Sequence, residues 1–198
     1  MKKRKLNRLK GYDYSQNNLY FVTNCVKNNR CCFGRVVRTG RLRTGRLRTG
    51  RDLSVSDADN HHHDYHHTEK SNSDLDFHVE LNQYGLIVDE KIKWLAIQYP
   101  YVVIHNYVVM PNHFHVIIEI DRQLVKGKDI KIKSLSSLMG ALKTTTSKQI
   151  HMSGFEDFAW HRSFHDHIIR NDISYQNILN YIDLNPQKWL EDCFYSGT

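Results

Sequence analysis

At 198 residues the chain can form one domain with a real core and a loose insertion, and 40% apolar with 11% aromatic residues fits a globular protein. No apolar run approaches the length of a membrane span, and the basic start "MKKRKLNRLKGYDYSQNN" lacks the apolar segment of a signal peptide, so a cytoplasmic protein without a membrane partner is expected. The net charge is +7, and six of the first ten residues, Lys2, Lys3, Arg4, Lys5, Arg8 and Lys10, are basic with no acidic residue among them. Such a patch points to an anionic partner, nucleic acid first, with a solvated tail as the alternative. Cys25, Cys31, Cys32 and Cys193 form no CxxC pair, which argues against a disulfide framework or a cysteine zinc site.

In chain order, "NLYFVTNCV" (18–26) is rich in β-formers and reads as a strand, with "KNNR" as the turn after it. "CCFGRVV" and "DFHVELN" read as the two arms of a hairpin. Between them "RTGRLRTGRLRTGR" (38–51) repeats a five-residue unit, and polar stretches follow. That composition cannot bury enough apolar surface to offset its ordering entropy, so residues 39–75 are expected to be a disordered insertion at the hairpin tip. Five histidines within 61–67 could bind metal loosely, but a flexible tract has nothing to fix ligand geometry.

"LIVDEKIKWLAIQYP" (86–100) reads as a helix, with Ile87, Val88, Lys91, Ile92, Leu95 and Ile97 in a mixed but helical apolar pattern and Pro100 as the stop. "YVVIHNYVVM" and "HFHVIIEI", joined at "PN", predict an antiparallel hairpin. "KSLSSLMGALKTTTSKQI" (133–150) predicts a second helix with Leu135, Leu138, Met139 and Leu142 on one side. A strand within "FAWHRSFHDHII" and a last helix, starting near the possible cap Asp172 and ending before Pro186, complete the chain. The order β, hairpin, α, β, β, α, β, α is met by a single α+β domain over 1–198. It would be a ferredoxin-like four-stranded antiparallel sheet with helices on one face.

Strand residues two apart share a face, so His113 and His115 project together with Phe114 opposite. Two imidazoles on one side suit a divalent ion, although two histidines on a strand are more often structural. In "NYIDLNP", Tyr181 and Asn185 are four apart on one helix face. Asn185 offers an amide oxygen, a hard ligand for Mg²⁺ or Mn²⁺, and Tyr181 a phenolic nucleophile one turn away. On helix spacing alone the preferred reading is Tyr181 packed in the core beside Ile178 and Ile182.

The motifs "RLKGYDYSQNNLYFVTNCV", "VELNQYGLIVDE", "YVVMPNHFHVIIEI", "LSSLMGALKTTTSKQI", "WHRSFHDHIIRN" and "YIDLNPQKW" together resemble the single-tyrosine HUH transposases, most closely the REP-associated tyrosine transposases. They follow the family order and cover nearly the whole chain outside the insertion. His161 stands where similar proteins commonly carry Gln, and the 39–75 segment is extra. The resemblance implies the HUH nuclease fold, with His113, Phe114 and His115 as the HUH triad. It also implies a metal held by His113, His115 and Asn185, and Tyr181 as the catalytic nucleophile. Tyr175 is the competing tyrosine; it lies about 240° of helix rotation from Tyr181, so both cannot face one metal.

The implied reaction is nicking and strand transfer on single-stranded or hairpin DNA through a 5′-phosphotyrosine, by a monomer or homodimer. Lys143, Lys148 and Arg170 join the N-terminal basic residues as expected phosphate contacts. Three rivals stand beside it: a catalytically silent transposase-derived DNA-binding protein, a metal-sequestering protein built on the 61–67 histidines, and a replication-initiator or relaxase nuclease of the same chemistry.

Overall fold

The computed structural model describes residues 11–39 and 76–191, and the expectations for residues 2–10, for most of the 39–75 insertion with its histidine tract, and for Cys193 lie outside them. Six strands and three helices follow in the order β1 (Asn18–Cys25), β2 (Gly34–Thr39), β3 (Asp76–Leu81), α1 (Gln83–Gln98), β4 (Val102–Val109), β5 (His113–Ile120), α2 (Leu135–Met152), β6 (His165–Ile169) and α3 (Asp172–Asp183). Four strands form an antiparallel sheet in the order β4-β5-β1-β6, the ferredoxin-like arrangement within an α+β domain. β2 and β3 pair with each other as a separate antiparallel hairpin, and Thr39 pairs with Asp76 at the end from which the 40–75 segment departs and returns.

β5 is a central strand and all but one of its residues are buried, so its alternating side chains feed two cores. Phe114, Val116, Ile118 and Ile120 join Tyr20 and Val22 of β1 in the main core, beneath Ile87, Val88, Ile92 and Leu95 of α1 and Leu135, Leu138, Met139 and Leu142 of α2. On the other face Ile117 meets Ile169 and Ile182, with Leu19, Phe21, Val108, Tyr175, Ile178 and Leu179 packed around them. α3 therefore lies on the face opposite α1 and α2, which corrects the expectation of helices on one face. A chain-order argument counts helices but does not assign the side of the sheet on which the last one lands.

Local chemistry moves other boundaries. The helix expected from residue 86 begins at Gln83, because Asn82 caps it: Asn82 Oδ1 accepts from the backbone N–H of Tyr84 and Gly85 at 2.9 and 3.1 Å. Ile97, counted in the apolar pattern, is 81% exposed near the end of α1. The cap of α3 is Asn171, not Asp172, with its side chain accepting from the Ser174 N–H at 2.8 Å. The strand expected from Cys31 starts only at Gly34, because the N–H groups of Cys32 and Phe33 both donate to the Pro111 carbonyl.

That last pairing positions the site. The β4–β5 turn is fastened by Cys32 and Phe33 onto Pro111, by the Val26 N–H onto the Asn112 carbonyl, and by the Met110 N–H onto the His113 carbonyl. β5 thus enters the sheet from a turn held on three sides, and His113 is its first residue.

α1 crosses the backbone before β2 at very short range. A Cβ at Gly85 would stand 2.1 Å from the Phe33 carbonyl oxygen, with Leu81 also too near. Gly85→Ala should therefore destabilise the protein by about 2 kcal/mol or more, despite alanine's better helix propensity, because the added atom meets backbone that cannot yield. Urea unfolding of the variant against wild type measures it.

Candidate active site

His113 and His115 are 0% and 1% exposed, and their rings face α3 and the turn that follows it. The two Nε2 atoms are 3.0 Å apart. Each Nδ1 has its own partner: Asn112 Oδ1 for His113 and Thr23 Oγ1 for His115, both at 2.8 Å. Asn112 is oriented by its Nδ2, which donates to the Asn29 carbonyl at 2.9 Å. Its oxygen can only accept, so His113 carries its proton on Nδ1 and presents a lone pair at Nε2. Thr23 can donate or accept. As donor it leaves the His115 proton on Nε2, which then bonds His113 Nε2; as acceptor it takes the proton to Nδ1, and both Nε2 lone pairs converge on one point.

Burial and the neighbouring His113 hold the His115 pKa well below its ordinary 6.5, so the ring is neutral at neutral pH, as ligation requires. Phe21 stacks on it at 5.4 Å between ring centroids.

Tyr181 brings its hydroxyl to 3.2 Å from His115 Nε2, with its ring 5.0 Å from the imidazole and 5.9 Å from Phe21. It is 42% exposed, so it sits at the rim rather than in the core beside Ile182. Asn185, four residues on, is 3% exposed and its Oδ1 has no hydrogen-bond partner among the described residues. Trp189, a further four on, lies 6.0 Å from the His113 ring. Tyr175 points elsewhere: its hydroxyl is 3.0 Å from His105 Nδ1.

The resemblance implies a divalent metal, and the residues fit one. Two ligands at right angles about 2.1 Å from an ion are about 3.0 Å apart, which is the spacing of the Nε2 pair. Each imidazole is held at its other nitrogen by an oxygen, the usual support for a metal ligand. A buried amide oxygen without a partner, as at Asn185, costs free energy that a cation would recover. Among the described residues no three His, Cys, Asp or Glu side chains cluster, so a third protein ligand would have to be of another kind, such as an amide or phenol oxygen.

The basic residues separate. Lys148 and Arg170 are exposed. Lys143 instead donates to the carbonyls of His161 and Arg162 at 2.7 and 3.2 Å, and partial burial lowers its pKa, so it fastens the segment before β6 to α2. Asn112 and Thr23 were missed as parts of the site. Asn112 stands next to His113 in sequence and could have been considered; Thr23 comes opposite His115 only through the β1–β5 register.

No family model matches the chain. It is 28% identical over 202 residues to an uncharacterized protein of Haemophilus influenzae, covering 95% of this chain and 91% of that one. Among solved structures it resembles a REP-associated tyrosine transposase bound to a REP hairpin, with a TM-score of 0.50 and 20% identity over 93% of this chain and 74% of that one. At that identity the likeness shows the fold. Among the described residues no helix is long and apolar enough to cross a membrane.

The His115 shift has a consequence for stability. Its folded pKa lies below the unfolded value of 6.5, so the unfolded chain binds a proton that the native state refuses. The native state is favoured fully above pH 6.5 and loses that advantage as pH falls from there toward the folded pKa. Urea unfolding at pH 7.5 and 5.5 should show lower stability at 5.5, and His115→Gln should remove part of the difference.

Proposed function

We propose that the chain is a transposase-like, metal-dependent enzyme that nicks single-stranded or hairpin DNA and transfers the strand through a 5′-phosphotyrosine. The observation that carries this reading is the Tyr181 hydroxyl 3.2 Å from His115 Nε2, four residues before Asn185, whose buried oxygen has no hydrogen-bond partner among the described residues. Supporting it are the HUH-type sequence motifs and the fold shared with a tyrosine transposase.

His113, His115 and Asn185 would hold Mg²⁺ or Mn²⁺, which when bound supplies charge stabilisation at the scissile phosphate. Tyr181 attacks phosphorus: the new bond joins its phenolic oxygen to the 5′ side, the bond to O3′ breaks, and the leaving 3′-oxygen takes up a proton. The phenol, with an ordinary pKa near 10, must shed its own proton during attack, and its position at the rim leaves it open to water. Attack by a 3′-OH on the phosphotyrosine reverses the step, so rejoining needs no ATP. Thr23 and Asn112 keep the imidazoles aimed. Lys148, Arg170 and the basic residues 2–10 would contact phosphates, and the +7 charge would draw DNA in.

The test mixes purified protein with Mg²⁺ or Mn²⁺ and labelled single-stranded hairpin DNA taken from the sequence flanking its own gene. Wild type should form a covalent protein–DNA adduct that survives denaturation and needs the metal, and Tyr181→Phe should lose it to background. An adduct that persists in Tyr181→Phe removes the assigned nucleophile. Hairpin binding without any adduct in wild type supports the catalytically silent DNA-binding protein instead.

A further inference from the structure

α3 carries Tyr181, yet little apolar surface attaches it to the sheet. Ile182 is its one buried residue among those described, against five in α1 and six in α2. Such a contact resists removal of the helix but does little against sliding or rotation, to which a nucleophile is most sensitive.

Strand β4 supplies the missing constraint. Its pairing with β5 runs Ile104 to Ile118 and then Asn106 to Ile117, so His105 is an extra residue, a β-bulge. In a regular strand His105 and Asn106 would point to opposite faces. Here Ile104 and Tyr107 both pack in the main core while Val108 packs beneath α3, so the bulge turns both His105 and Asn106 toward α3.

Both use that position. His105 Nε2 is 2.7 Å from Glu119 Oε2, and its Nδ1 is 3.0 Å from the Tyr175 hydroxyl. With an Nε2 proton donated to Glu119, Nδ1 can accept from the Tyr175 hydroxyl. Asn106 Nδ2 donates to Asp183 Oδ1 at 2.8 Å. The first tie grips the first turn of α3 and the second its last residue, about 12 Å further along the helix. Tyr181 lies between them.

We infer that the β4 bulge is a two-point clamp that fixes the register and rotation of α3, making His105, Asn106, Tyr175 and Asp183 positioning residues for Tyr181. Tyr175 is then no spare nucleophile: it holds the helix that carries one. The clamp also keeps the tyrosine on its own chain's histidine pair. Its effect on chemistry rests on the strand-transfer reading; its effect on α3 does not.

The experiment has two readouts on the full chain. Hydrogen exchange should show α3 amides exchanging at least about 10-fold faster in the Tyr175→Phe, Asn106→Ala double variant, with β5 and α1 unchanged. In the adduct assay the same variant should lose about 10- to 100-fold in the rate of adduct formation at saturating DNA, with hairpin affinity within about twofold of wild type, as expected for a misplaced reacting group. A reciprocal exchange provides the rescue. Asn106→Asp alone sets two carboxylates against each other and should slow the reaction, whereas adding Asp183→Asn restores an amide–carboxylate bond in the opposite sense and should recover the rate. Unchanged α3 exchange, or no recovery on the reciprocal exchange, overturns the clamp. Faster α3 exchange in a protein that forms no adduct upholds the clamp and removes the strand-transfer reading.

Discussion

Two imidazoles lie 3.0 Å apart beneath a helix, almost wholly out of water. Burying four ring nitrogens is unfavourable unless each has a partner, and much of the fold serves that need. Asn112 is held by Asn29 and fixes one ring; Thr23, brought opposite by strand register, can fix the other in either tautomer. The turn before His113 is fastened to the segments flanking it, so the pair enters the sheet from a stiff support. The Asn185 oxygen remains without a partner among the described residues.

A division of labour between the two faces of the sheet follows. α1 and α2 bury a broad apolar face in the main core, so they tie the position of β5 to global stability. α3 buries less, through Ile182 and the partly buried Tyr175, Ile178 and Leu179, and is held as well by polar groups that water or a ligand can compete for. The Tyr181 hydroxyl thus rides on the helix least committed to the core, while its histidine partners sit on a central, buried strand. That arrangement suits a site that must admit a polymer without disturbing its ligands.

Much of the site was legible in the sequence because it depends on local periodicity. A strand period of two places His113 and His115 on one face; Asn185 was expected one helical turn after Tyr181, but α3 ends at Asp183 and Asn185 reaches its place from the turn that follows. The hairpins, the three helices and the four-stranded sheet followed from similar patterns. What could not be read depends on contacts between distant elements. Thr23 is tied to His115 by register, and the side of the sheet on which α3 packs is set by how the last connection crosses. The bulge at His105 has no glycine or proline to announce it, so neither the Tyr175 hydrogen bond nor the presence of Asn106 on the same face could be foreseen. The depth of the imidazoles was also hidden, because a His-x-His strand looks alike whether its face is open or covered by a helix.

The central claim is that this buried pair, and not the histidine tract at 61–67, holds the divalent ion. Pulsed electron paramagnetic resonance of the protein with one equivalent of Mn²⁺ reads it directly, because imidazole nitrogens bound to the ion couple to its electron spin. The account predicts nitrogen coupling from two imidazoles that survives substitution of all five histidines in the tract and disappears in His113→Gln of unchanged circular dichroism. Coupling that follows the tract and persists in His113→Gln would contradict it.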